Sequence, residues 1–513
     1  MPDTSSASPE SQPHRAMHNF RGDMRAALPL HPLEKALVII ASTQLVFMPW
    51  ALGSMHAWSQ ITALGLAALG FIVALIPRHY TSDYAREGEF RLLMWPKLVR
   101  FPIFWLGLLL LAYITTQALN PAWGYVTIPN RGYTILPMPH ITWLPTSVRA
   151  PFEAMNAWRM LIIYAGAWLL ACALWTGLTR RNAVQAILTA VVISGAVLGL
   201  VAILQRVTGT PHILWSIDRK VPYFVGTFIY KNHAGAYFNL VLAIAAALGV
   251  WHYIRASRRM DRTSPAPAFA FAGLIIGIVV LISYSRAATI LMLGFTVIGV
   301  IAFLVWFLAG AKGQRNTGVT LIVCGIFALF TGMGAYVLQG GKAVDEVDKL
   351  IQQIASGENS SQPVHQDSIR GRTLAYRATW DMAQDQIITG WGSGGFRWIF
   401  PAFQKNYPGI YKSPDKWARM FFWEHAHNDY LEGLAELGIA GALLVLGLLG
   451  TGAANIMRHG GLSRLPTLIL CGGLLMTLAQ SATDFGFYNP AILCTFTVAL
   501  VLAGRWAELE NRR

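Results

Sequence analysis

The sequence predicts an all-α integral membrane protein of about twelve transmembrane helices, with one large helical loop before the last three spans. Two observations carry this. The chain is 513 residues long, 54% hydrophobic and only 13% charged, which is too apolar for a soluble protein of that length. Its apolar residues also fall in runs of about 20, the length needed to cross a hydrocarbon core.

Such runs lie near 33–53, 57–77, 99–119, 157–177, 183–205, 233–254, 267–284, 287–309, 318–338, 428–456, 466–484 and 488–506. The short links carry the cations: Arg78, Arg86, Arg91 and Lys97, then Arg180 and Arg181, Arg255 to Arg262, Lys312 and Arg315, Arg458 and Arg464, and the terminal arginines. All fall on one side if the N-terminus, with Arg15, Arg21 and Arg25, is cytoplasmic. The reading is therefore a multi-pass chain with both termini inside. It divides into a polar arm over 1–32, spans one to nine over 33–338, a large outer loop over 339–426, spans ten to twelve over 427–506 and a tail over 507–513. The arm lacks apolar periodicity and reads as disordered, with no cleavable signal peptide.

A net charge of +15 raises nucleic acid as a partner, but the placement of the cations in short loops explains it without one. Cys172, Cys324, Cys471 and Cys494 all sit in apolar runs and read as small core residues. No zinc cluster follows from their spacing.

The outer loop reads as folded. Val344, Val347, Leu350, Ile351 and Ile354 recur at helical spacing, and a second helix is expected from Arg372 to Ile388, ending at Gly390. The following Gly390-Trp391-Gly392-Ser393-Gly394-Gly395-Phe396 predicts a tight turn, either plain or with amides free to hold an anion. Between 370 and 419 the loop has eight Lys or Arg against three Asp. That excess is either a solvated helix face or an attraction for an anionic substrate.

The densest chemistry is at 423–441, WEHAHNDYLEGLAELGIAG, where a His/Asn/Asp/Glu cluster runs directly into an apolar helix. Ionisable residues at a membrane entrance are expensive unless they face a cavity or a partner, which makes this the first functional candidate. Asn428, Glu432 and Glu436 are four apart and share a helix face below His427, to fix its tautomer, hold a substrate, or form a polar seam between helices. Asn428 and Asp429 are also suitable helix caps. His425-Ala426-His427 with Glu424 is a weak zinc candidate, lacking helical spacing and a third clear ligand. Asp484, at the outer end of the eleventh span, is a possible second carboxylate.

Three more constellations are expected on the same face. Gly226 to Ala234 (GTFIYKNHA) opens the sixth span with Lys231 and Asn232; Ser283-Tyr284-Ser285-Arg286 joins two spans with almost no loop; Arg206 ends the fifth. Each arginine can snorkel to lipid phosphate or make a bidentate contact with a substrate phosphate.

The order and spacing of these segments resemble the bacterial O-antigen ligase and O-antigen polymerase superfamily. His427-Asn428, nine residues, Gly438, two residues, Gly441 is similar to its signature at every fixed position, and the 226–234, 285–286 and 372–396 stretches fall in the same order. The resemblance covers roughly 200 to 500. It implies a GT-C-like fold and an inverting, metal-independent glycosyltransferase with no cofactor, acting at the periplasmic face of the bacterial inner membrane. The implied partners are a glycan on undecaprenyl pyrophosphate as donor and a second glycan or a lipid A-core as acceptor, within membrane lipid. That is the chemistry of lipopolysaccharide ligation or of O-antigen and exopolysaccharide polymerisation. His427 and Arg286 are the implied catalytic pair; Arg206, Lys231, Asn232, Arg372, Asn428, Glu432, Glu436 and Asp484 are candidates for substrate contact. Lys231 departs from the pattern where a first pyrophosphate-binding arginine is sought. A polytopic transporter is the rival class, but the chain lacks clear repeated halves and gathers its ionisable residues at one face.

Overall fold

The computed structural model describes residues 29–84, 89–129, 132–218, 223–261, 263–309, 369–411 and 422–511, with the single positions 325 and 332. Eight of its helices are long and apolar enough to cross a membrane. They are α1 (Pro32–Trp50), α2 (Ala57–Leu75), α4 (Pro102–Leu119), α5 (Ala157–Gly177), α6 (Arg181–Thr208), α7 (Lys231–Arg259), α13 (Asp429–Arg458) and α15 (Pro490–Asn511). Three further helices are apolar over shorter stretches: α8 (Ala266–Ile282), α9 (Arg286–Ala309, over Arg286–Ile301) and α14 (Leu465–Ser481). The expected span at 318–338 lies outside the described residues, as do the arm over 1–28 and the loop helix expected at 344–354.

The starts of these helices are written locally. Pro occupies the first turn of α1, α4 and α14, where its missing amide costs nothing. Asn156 caps α5 by accepting the Arg159 amide at 3.0 Å. Gly209, at φ 62°, ends α6 in the left-handed conformation that lacks a Cβ penalty. The bundle is built around α7, which is enclosed from Asn232 to Leu248, whereas α13 presents most of its apolar surface outward, as a helix facing lipid does.

Predicted cytoplasmic cations do meet at one end. Glu34, fully buried, accepts the amides of Thr179 (2.8 Å) and Arg180 (3.0 Å) and lies 3.7 Å from Arg78. Lys97 donates to the Thr176 carbonyl at 2.7 Å, and Arg505 to that of Leu178 at 2.9 Å. Arg464 pairs with Glu510 at 2.9 Å, while Arg181 and Arg255 both stack on Trp251. Cations from separate short links thus share one polar layer. Residues 507–511, expected as tail, continue α15 instead, because Trp506 and Leu509 are buried and Glu510 is held by Arg464.

The structure is mostly helical, consistent with the all-α expectation, and adds a few short strands: β1 (Arg78–Tyr80) with β2 (Phe90–Leu92), and β3 (Pro121–Ile128) between β4 (Gly132–Pro137) and β5 (Ser147–Arg149). The short helix α3 (Trp95–Val99) follows the first pair. The second sheet lies at the opposite end from the cation layer and joins the outer loop, formed by α10 (Ile369–Asp385), α11 (Phe396–Gln404) and α12 (Pro408–Tyr411). Trp123, Tyr125, Tyr133 and Ile135 of the sheet pack on a core containing Ala378, Met382, Trp398, Phe400 and Trp423. Aromatic burial on this scale gives the loop a hydrophobic core of its own beside the membrane bundle.

Candidate active site

Three pieces of chain converge at the start of α13: the residues before it, the loop between α14 and α15, and α10. Asn428 is the helix cap, its Oδ1 accepting the amides of Tyr430 (3.1 Å) and Leu431 (3.0 Å). His427 precedes the cap at φ +57°, a left-handed conformation costing a bulky residue of order 1–3 kcal/mol. Its neighbours hold it there. Glu432, fully buried, accepts the Ala426 amide at 2.7 Å and lies 2.8 Å from His425 Nδ1, while Tyr376 of α10 donates to the His427 carbonyl at 2.8 Å.

The strained turn aims the His427 imidazole at Asp484, with Nδ1 to Oδ1 at 3.3 Å. Both side chains are largely enclosed. Trp423 and Phe485 meet the ring edge-on at 5.9 and 5.1 Å, and Tyr230 lies 6.4 Å away. Burial pushes the Asp484 carboxyl up, but the His427 hydrogen bond and the charges of His427, His233 and Arg372 outweigh it and hold the group below the ordinary carboxylate range. An ionised carboxylate only accepts, so it places the proton on His427 Nδ1 and leaves Nε2 as the basic nitrogen. Burial holds His425 down at about 4, against the smaller opposing effect of Glu424.

α10 grips both halves of this pair. In addition to the Tyr376 contact, Arg372 donates to the carbonyl of Thr483, the residue before Asp484, at 2.8 Å. Arg372 therefore reaches the site from the loop, where the sequence reading placed a candidate for substrate contact.

Gly390 to Phe396 does form a tight turn, and its amides hold a carboxyl group of the protein itself. Gly394 and Phe396 donate to the two Glu436 carboxylate oxygens at 2.8 and 2.9 Å, with Tyr488 adding its hydroxyl. Ser393 donates to Gln117 at 3.1 Å, and Gly392 to the Glu436 carbonyl at 2.9 Å. Glu436 thus fastens the outer loop to α13. Gly438, a fixed position of the motif, does not continue the helix: at φ 63°, ψ −175° it interrupts it. The freed amides of Ile439 and Ala440 bond instead to the carbonyls of Ile387 (2.8 Å) and Ile388 (3.1 Å). A Cβ on Gly438 would stand 2.3 Å from the Ile388 oxygen, and one on Gly390 2.3 Å from the Glu436 oxygen. The fixed distance from His427 to Gly438 is the length of helix between the imidazole turn and the point where the loop chain docks.

The remaining candidates sit along α7 and the turn between α8 and α9. Tyr230, just before α7, touches His427; Asn232 donates to the Tyr230 hydroxyl at 2.7 Å and receives Gln480 on its carbonyl at 2.9 Å. Lys231 is the first residue of α7 and half-buried. Two turns further on, Asn239 donates to the Ala288 carbonyl at 2.9 Å, so α7 ties the His427 pocket to the turn bearing Arg286. Arg286 is exposed at the start of α9, and Arg206 stacks over Tyr284, 5.1 Å from its ring, donating to its hydroxyl at 3.1 Å. Tyr284 itself is left-handed, at φ +54°.

Sequence reasoning missed Phe485, Tyr376 and Trp423 as pocket residues. Phe485 is the central one, stacked on His425 at 4.1 Å and on Tyr230 at 5.1 Å, with its carbonyl 3.2 Å from His233 Nε2. The aromatic run from Phe485 to Tyr488 beside Asp484 was the available signal. Among the described residues no three His, Cys, Asp or Glu side chains are grouped to hold a metal ion.

Residues 271–446 match the family model for O-antigen ligase, in line with the resemblance read from the sequence. The match takes in Arg286, Arg372, the glycine turn, His427, Gly438 and Gly441, and stops before Asp484. No curated protein matches the chain.

Proposed function

We propose that this membrane protein, whose residues 271–446 match the O-antigen ligase family, transfers a glycan from a lipid diphosphate to an acceptor hydroxyl at the outer face of the inner membrane. The observation that carries the reading is the His427–Asp484 pair, enclosed by aromatics and with Arg372 held on the neighbouring Thr483 carbonyl. The carboxylate orients the ring, and Nε2 takes the proton of the acceptor hydroxyl as its oxygen attacks the anomeric carbon. A new carbon–oxygen bond forms, the bond to the diphosphate oxygen breaks, and the electron pair leaves with the diphosphate. Attack opposite the leaving group inverts the anomeric centre. Arg286 and Arg372, helped by Arg206 and Lys231, offset the charge that gathers on that diphosphate. Charge compensation by guanidinium groups makes the step metal-independent.

Donor and acceptor then follow from the resemblance: undecaprenyl pyrophosphate carries the donor glycan, and a lipid A-core or a growing glycan receives it. Purified protein in chelator, given lipid-diphosphate glycan and acceptor, should form the glycosidic product. A requirement for added divalent metal would sink the mechanism. Glycolipid ladders from a deletion strain separate the two acceptors: full-length polymer left on lipid marks a ligase, and lost chain length a polymerase. Reporter fusions at 360 and 513 test the orientation, with an active cytoplasmic reporter expected only at 513.

A further inference from the structure

The hairpin of β3 and β4 has apolar side chains on both faces. Trp123, Tyr125, Tyr133 and Ile135 occupy one face and pack on the outer-loop core. The register pairs Gly124 with Leu136 and Val126 with Thr134, so these residues point the other way. On that second face Leu136 is 50% and Val126 42% exposed, and Met138 lies over Gly124, where an added Cβ would meet its sulfur at 2.9 Å. A sheet with one face on a core and the other in water carries polar residues outward. This one does not.

The chain beyond the hairpin is pinned at a defined height. Asn120, the residue capping the spanning helix α4, donates to the carbonyls of Ile141 (2.9 Å), Leu144 (3.4 Å) and Pro145 (3.2 Å) and accepts the Ile141 amide (2.8 Å). The turn so fixed stands where a transmembrane helix leaves the apolar layer. It holds out Trp143, 78% exposed, and Leu119, which ends α4, also faces outward. An indole ring, apolar with one polar edge, is most stable at that boundary.

We propose that the outward face of the β3–β4 hairpin, with Ile141 and Trp143, lies on the bilayer surface on the His427 side, as a second membrane contact beside the spanning helices. It fixes the outer-loop core, and with it α10, at one height over the lipid. The inference rests on α4 spanning the membrane and is independent of the transfer reaction.

Spin labels on Val126→Cys, Leu136→Cys and Trp143→Cys test it, each in the full chain with native cysteines replaced and reconstituted in lipid nanodiscs. Collisions with oxygen should exceed those with a water-soluble nickel chelate, as for a label on Leu109→Cys of the outward face of α4. Dominant chelate collisions at all three would place the face in water and overturn the proposal. Shielding that develops only on adding a lipid-free glycan would make the face a sugar platform and overturn it too. Where the cysteine-replaced chain does not fold, quenching of the native chain by lipids brominated near the headgroup decides. Trp143→Phe should lower the quenched fraction, and an unchanged fraction would refute the contact.

Discussion

His427 Nδ1 meets Asp484 Oδ1 at 3.3 Å, joining residues that are 57 positions apart through the loop between the last two spans. The pairing predicts unequal losses. His427→Ala should lose at least roughly a hundredfold in rate, the low end for removing a positioned acid or base. Asp484→Asn should lose about ten- to a hundredfold in kcat with KM little changed, less than carboxylate-to-amide changes in tighter triads. The double variant should be no slower than His427→Ala, because the carboxylate acts through the ring. Additive losses would show that Asp484 touches substrate independently.

Arg286 tests the leaving-group role. Arg286→Ala and Arg286→Lys should each slow transfer by roughly a hundredfold, the usual effect of deleting one positioned charge-stabilising donor, with the folded yield unchanged. Lysine keeps the charge and loses the fork. Native turnover by the lysine variant would reduce Arg286 to an anchor in lipid phosphate.

Gly438 separates backbone geometry from chemistry. Its φ/ψ combination is open essentially to glycine alone, and its Cβ would meet the Ile388 carbonyl at 2.3 Å. Gly438→Ala should therefore cost about 3 kcal/mol or more and lower the thermal midpoint sharply. Gly433→Ala, where an added Cβ meets nothing within 4 Å, should leave the midpoint unchanged or slightly raised. Equal midpoints for the two variants would contradict the docking of the loop on α13.

His425 predicts an acid sensitivity. Its folded value, near 4, lies below the ordinary value of 6.5, so the folded state resists a proton that the unfolded chain accepts. This stabilisation is complete above pH 6.5 and is lost as pH falls from there towards 4. The thermal midpoint in detergent should drop across that window, and more shallowly in His425→Phe than in the native chain. Parallel profiles would show that the imidazole does not control the loss.

Transfer activity should also be far less sensitive to His425 than to His427. Activity of His425→Ala near the native value would fit an imidazole stacked on Phe485 and spent on Glu432. A loss equal to that of His427→Ala would assign the reacting proton to the wrong ring.

By itself the sequence determined the membrane class, the positions of most spans, the clustering of cations at one end and the identity of His427 and Arg286 as candidates. These depend on hydropathy, charge and spacing within continuous segments, and such signals survive without knowledge of what lies opposite. Only the tertiary structure decided the partners. Glu436 reads as a candidate for substrate contact until the amides of Gly394 and Phe396 are seen to enclose it, and Gly438 is only a position in a motif until the helix breaks there. Phe485 and Tyr376 become pocket residues through contacts made across distant segments, whose energies no local pattern encodes. The short sheet after α4 escaped for a related reason: its strands alternate weakly because both faces are apolar, so period two is absent from the sequence even where it governs the fold.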